Sequence, residues 1–258
     1  MLELRPEQFA VLADSQLASF KAHLEAHLRA TFPLQTADVD AAALRDFIDL
    51  AVTRSGDAGI DTEASVQSFA DHMVLLGARF PDNPLYTVLS APLRDPGLES
   101  PVQRMDQVYD LTWDYLDRIR APDGGHLIEA LARLRAWMNL AGEHVGDSVA
   151  DVLPILQRIY PQKFGAHDTP ALADFCEQAL RRAGADRFMQ APARALYVCT
   201  AFIAGLDFYH DPLIRGGARR VAEALETEPD PGRRTRLLAK GVSRYLDRVL
   251  ALVRGTPA

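Results

Sequence analysis

The feature that most constrains this chain is its similarity to itself. When the 258-residue sequence is slid by 128 positions, Phe32-Pro33 falls on Tyr160-Pro161, and Ala43-Leu44-Arg45-Asp46-Phe47 falls on Ala171-Leu172-Ala173-Asp174-Phe175. Without a gap, Arg54 meets Arg182, Gly56 meets Gly184, Phe69 meets Tyr197, Gly77 meets Gly205, and Pro84-Leu85 meets Pro212-Leu213. Thirteen of the 54 positions from Phe32 to Leu85 are identical. After a further shift of two residues, Tyr115-Leu116-Asp117-Arg118 lies on Tyr245-Leu246-Asp247-Arg248. The period is too long for tetratricopeptide or armadillo arrays, whose units run about 34–47 residues. The expectation is a tandem duplication: two similar helical bundles, residues 1–122 and 126–258. The stretch Ala121-Pro122-Asp123-Gly124-Gly125 between them breaks any continuing helix.

The local pattern is all-α. From Thr62 to Gly77, apolar residues fall at Val66, Phe69, Ala70, Met73 and Val74, the stripe of an amphipathic helix. Asp61-Thr62 supplies its N-cap and Gly77 its stop. A second helix is expected from about Ala41 to Ser55, ended by Gly56, and its counterpart is expected to end at Gly184. A third should run from Pro101 to about Arg120, and an N-terminal helical region from Pro6 to Phe32-Pro33. No alternating segment flanked by hairpin turns is present.

Composition narrows the class. At 48% hydrophobic and 24% charged residues the chain is an ordinary globular sequence. Cys176 and Cys199 form no CxxC pair, and on apolar helical stretches they read as buried thiols in a reducing compartment. Met1 to Glu7 has no basic segment followed by an apolar run, so no secretory leader is expected. The most apolar stretch, Ala195 to Leu206, is too short for a bilayer, which takes about 20 residues. A cytoplasmic protein without a membrane partner is the resulting expectation. The net charge of −7 argues against nucleic acid, but it averages a contrast. Residues 1–128 carry net −10 and residues 129–258 net +3, which favours different roles for the halves or an acidic-to-basic contact between halves or subunits.

Several constellations invite chemistry. His23 and His27 lie one helical turn apart, a spacing that can hold a metal, but no glutamate follows the first histidine as in the zinc-protease helix. Two helix histidines without metal is the simpler reading. In Tyr209-His210-Asp211, Asp211 can orient His210 as a base, yet no nucleophile elbow accompanies it, and Asp211-Pro212 reads more simply as a turn and helix cap. Arg215-Gly216-Gly217 is too bare for a phosphate loop. No catalytic, cofactor or metal site is therefore expected, and the chain is read as a non-enzyme. Two charged patches remain as candidate partner-binding surfaces. One is the acidic ladder Asp106, Asp110, Asp114 and Asp117, on the helix bearing Trp113. The other is a basic cluster, chiefly Arg215, Arg219, Arg220, Arg233 and Arg234, continuing through Arg236, Lys240, Arg244 and Arg248. Each is also what an ordinary solvated face looks like.

The first half resembles a family of uncharacterised bacterial proteins associated with type VI secretion and polymorphic-toxin loci. The residues that carry the resemblance are Arg5-Pro6-Glu7-Gln8, His27-Leu28-Arg29 with Phe32-Pro33, and Leu44-Arg45-Asp46-Phe47-Ile48. They continue with Gly59-Ile60, Glu63 and Val66, then Leu76-Gly77 with Phe80, and Asp82-Asn83-Pro84. The match covers about residues 5–120, in a family pattern that is usually a single copy. These motifs specify helix ends and packing, so no functional residue is carried over. The resemblance implies a cytoplasmic accessory protein whose partner is a secreted effector or spike-tip protein. On this basis the expected function is a chaperone or adaptor for a toxin effector. The alternative is an immunity protein that neutralises the toxin, and a homodimer stays open.

Overall fold

The computed structural model describes residues 6–122, 124–140, 145–216 and 219–253. Within them the chain is helical throughout, without a strand. The first half consists of α1 (Pro6–Thr31), α2 (Pro33–Thr36), α3 (Ala41–Asp57), α4 (Glu63–Leu76), α5 (Thr87–Ser90) and α6 (Pro101–Arg120), with short 3-10 turns at Phe80–Asp82, Pro84–Tyr86 and Ala91–Arg94. The second half consists of α7 (Gly125–Leu140), α8 (Val149–Ile159), α9 (Pro161–Gly165), α10 (Thr169–Ala185), α11 (Ala191–Ala204), α12 (Pro212–Gly216), α13 (Arg219–Thr227) and α14 (Pro231–Val253).

The 128-residue register reappears in the element boundaries. Helices α3 and α10 have the same length and the same cap: Asp40 and Asp168 accept the backbone N–H of Ala43 and Ala171, both at 2.8 Å. Helices α4 and α11 also match in length, and both end on a glycine with positive φ, Gly77 at 97° and Gly205 at 105°. Two expected stops are corrected. Gly56 and Gly184 lie inside α3 and α10, and each helix closes through a left-handed residue three positions later. Gly59 takes that role in α3, with Ile60 N–H bonded to Ser55 C=O at 2.8 Å. Arg187 takes it in α10, with Phe188 N–H bonded to Ala183 C=O at 2.8 Å. Arg187 therefore carries a conformation that costs a non-glycine residue about 1–2 kcal/mol, and its Nη2 donates to Glu226 C=O at 2.9 Å.

The halves are interlocked. The C-terminal ends of α4 and α11 meet backbone to backbone: a Cβ on Gly77 would stand 2.8 Å from Gly205 Cα, and the reverse holds for Gly205. After each glycine the chain crosses over, so that the Pro84–Tyr86 turn packs on α10 and α12 packs on α3. Equivalent positions pair across this crossing. Arg79 Nε donates to Asp207 Oδ2 at 2.9 Å, and these residues lie 128 apart. Arg182 donates to Asp207 Oδ1 at 2.9 Å, and Arg54, its counterpart, approaches the same carboxylate at 3.6 Å. The buried apolar residues form one continuous core through both halves, including Leu28, Phe47, Phe69, Phe175, Tyr197 and Phe202. Each fully buried side chain of this size contributes about 1.5–3 kcal/mol. Both cysteines are free and buried, and burial pushes the Cys176 thiol up to about 12.

Candidate functional site

Where α6 of the first half meets α9 of the second, the fold assembles a polar network that the sequence did not announce. Lys163, on the five-residue helix α9, is buried; its Nζ donates to the Tyr86 hydroxyl at 2.8 Å and lies 5.2 Å from the centre of the Phe202 ring. The rings of Tyr86 and Tyr115 meet edge to face at 5.6 Å. The Tyr115 hydroxyl donates to His167 Nε2 at 3.1 Å. Burial first, and Lys163 second, lower the His167 pKa to about 4, so the ring is neutral at pH 7 and can accept that proton. Burial, then neighbouring Tyr86, raises the Tyr115 pKa and keeps its hydroxyl protonated. Tyr160 closes the cluster by donating to Ile119 C=O at 3.1 Å.

Tyr115 and His167 of this network line an open groove of about 640 Å3. Leu85, Leu89 and Leu111 supply apolar surface, and Asp114, Asp117 and Arg118 supply charge along one edge. Val88 at its rim is 70% exposed. Of the residues of the two charged patches expected to bind a partner, Asp114 and Asp117 line this groove. Lys163, Tyr86 and His167 were missed. One faint signal was available: Lys163 is one of three lysines in an arginine-rich chain and sits between Tyr160 and Phe164.

The acidic ladder is present as read. Asp106, Asp110, Asp114 and Asp117 are all exposed on α6. Among the described residues none of the four side chains makes an ion pair or hydrogen bond. Tyr109 and Trp113, 50% and 37% exposed, stand beside them with ring centres 5.9 Å apart.

The basic candidates fare differently. Arg234 is buried and is removed from any surface. It donates to the carbonyls of Asp186 at 2.6 Å, Glu228 at 3.2 Å and Arg187 at 3.3 Å, and also to that of Leu225. It thus ties the C-terminal ends of α10 and α13 to the start of α14, with its guanidinium 5.1 Å from the Phe188 ring centre. Arg215 pairs with Glu226. Arg219 pairs with Glu223 at 3.0 Å and with Asp40 of the first half at 3.3 Å, and Arg233 with Glu228 at 4.0 Å. Arg220 is exposed and unpaired among the described residues, as are Arg236, Lys240 and Arg244 further along α14.

The remaining constellations resolve into structure. His27 Nε2 meets Asp71 of α4 at 2.9 Å, whereas His23 is exposed. No group of three His, Cys, Asp or Glu side chains among the described residues is arranged to hold a metal. His210 is oriented by Asp186, not by Asp211: its Nε2 lies 2.8 Å from Asp186 Oδ1, while Asp186 Oδ2 accepts the Tyr197 hydroxyl at 2.9 Å. That hydrogen bond raises the His210 pKa. Asp211 instead caps the turn into α12, accepting Leu213 N–H at 2.9 Å, just as Asn83 accepts Leu85 N–H at 3.0 Å in the first half. Gly217 lies outside the described residues. No described helix is long and apolar enough to cross a membrane. No family model, curated protein or solved structure matches the chain, so the type VI association rests on the resemblance alone.

Proposed function

We propose that the protein is a non-enzymatic, cytoplasmic binding protein that holds a segment of a type VI secreted toxin effector, as its chaperone or adaptor. The observation that carries the reading is the groove beside α6. Its apolar floor of Leu85, Leu89 and Leu111 suits a hydrophobic anchor residue, and the Asp114 and Asp117 carboxylates at its edge suit a basic residue next to that anchor. The effector setting comes from the resemblance of residues 5–120. Co-expression with candidate effectors tests it. The pair should co-purify, and Val88→Asp, at an exposed rim position, should weaken capture by at least about tenfold, as expected when one anchor contact is lost. Normal capture by Val88→Asp would remove the groove from the account. Protection of cells from the toxin without any need in delivery would make the protein an immunity protein instead.

We also read the chain as an internal duplication into units 1–122 and 126–258. Support comes from the sequence identities, the matching caps and lengths of α3 with α10 and α4 with α11, and the reciprocal crossing after Gly77 and Gly205.

A further inference from the structure

Helices α6 and α14 occupy corresponding places in the two halves, in a register of 130 residues that aligns Tyr115-Leu116-Asp117-Arg118 with Tyr245-Leu246-Asp247-Arg248. In that register Asp106 corresponds to Arg236, Asp110 to Lys240, and Asp114 to Arg244. One helix presents three carboxylates at i, i+4 and i+8, and the other presents three cations at the same spacing, about 6 Å per step. All six side chains are exposed, and none is paired among the described residues. Each ladder faces away from its helix's buried side, formed on α14 by Leu238, Val242 and Leu246 and on α6 by Met105, Val108 and Thr112. The two ladders share no ion pair within the molecule.

Size is complementary as well as charge. Beside the acidic ladder stand the exposed rings of Tyr109 and Trp113; the same register places Ala239 and Ser243 on α14. Two helices approach closely when large side chains on one meet small ones on the other, and aromatic side chains at the centre of a contact carry most of its energy. We propose that these faces are made for each other across two molecules: α6 of one copy docks on α14 of a second copy, carboxylate ladder against cation ladder, with Tyr109 and Trp113 seated over Ala239 and Ser243. The contact joins unlike surfaces. An associated pair either closes by making it twice or leaves one ladder free at each end to recruit further copies.

Analytical ultracentrifugation of the full chain at 50 and 500 mM salt tests this, with two charge reversals. The first is Asp106→Lys with Asp110→Lys and Asp114→Lys; the second is Arg236→Glu with Lys240→Glu and Arg244→Glu. Wild type should self-associate at low salt, and its dissociation constant should rise on the order of tenfold or more at high salt. Each reversed protein alone should be monomeric, while an equimolar mixture should associate, because each supplies the face the other has lost. Circular dichroism verifies that both variants remain folded, and Val88→Asp should associate like wild type, which keeps this outcome separate from that of the groove. A wild type that stays monomeric at low salt, reversals that leave association unchanged, or a mixture that stays monomeric would each overturn the proposal.

Discussion

Buried Asp211 and half-buried His167 show how single groups set opposing pH responses. Burial raises the Asp211 pKa to about 6 from an ordinary value of 3.8. Its contribution to stability is therefore complete below pH 3.8 and is lost as pH rises through 6. Burial and Lys163 lower the His167 pKa to about 4 from 6.5, so its contribution is complete above pH 6.5 and is lost as pH falls toward 4. Buried His72, also shifted down, acts in the same direction as His167. Between pH 6.5 and 5 the aspartate and the histidines offset one another. In Asp211→Asn this offset is lost, and stability should fall by about 1–2 kcal/mol more than in wild type over that interval. His167→Gln should change the slope in the opposite sense. Urea unfolding at pH 5.0 and 6.5 measures both slopes; two slopes equal to wild type would refute the assignment. Asn83, the uncharged counterpart of Asp211, already performs the same capping role.

The ends of these helices are held by caps and by ties between neighbouring ends. The Arg234 guanidinium satisfies carbonyls from the ends of α10 and α13 while belonging to the first turn of α14. Truncating it strands several of these acceptors inside the protein. Arg234→Met should lower stability by about 3 kcal/mol or more, whereas exposed Arg220→Met should stay within about 0.5 kcal/mol. Denaturant midpoints decide between them, and equal effects would return Arg234 to the surface cluster. Helix boundaries were legible because a cap is a local event. Thr62 and Gly77 bracket α4, and Pro101 opens α6, from signals within one turn of each end. Gly56 misled because glycine is tolerated inside a helix, and the left-handed position lay at Gly59. Arg187 could not be found by composition at all, since its left-handed turn carries no glycine.

At the scale of the molecule, the crossing after Gly77 and Gly205 makes each half part of the other's packing. The Asp207 carboxylate, nearly buried, is answered by Arg79 and Arg54 of the first half as well as by Arg182 of its own. Separated fragments 1–122 and 126–258 would each expose apolar surface, and fragment 1–122 would leave Arg54 without its carboxylate partner Asp207. Neither should fold cooperatively alone, while the co-expressed pair should assemble into one helical species. A sharp, cooperative melt of fragment 1–122 by itself would contradict this. The full chain should unfold in one transition, because its core is continuous.

Sequence alone determined the helical class, most helix ends, the correspondence between the halves and the acidic face of α6. All of these depend on residues within a few positions of one another or on alignment of the chain with itself. Tertiary structure alone decided which charges are spent and which remain available. Arg234 lies in the same basic cluster as Arg236, yet one is buried on carbonyls 6 to 48 residues away and the other is exposed. His210 adjoins Asp211 but bonds to Asp186, and Lys163 finds its hydroxyl partner 77 residues away. Such pairings follow from how helices cross in three dimensions, where desolvation makes partnership obligatory for a buried charge but optional for an exposed one.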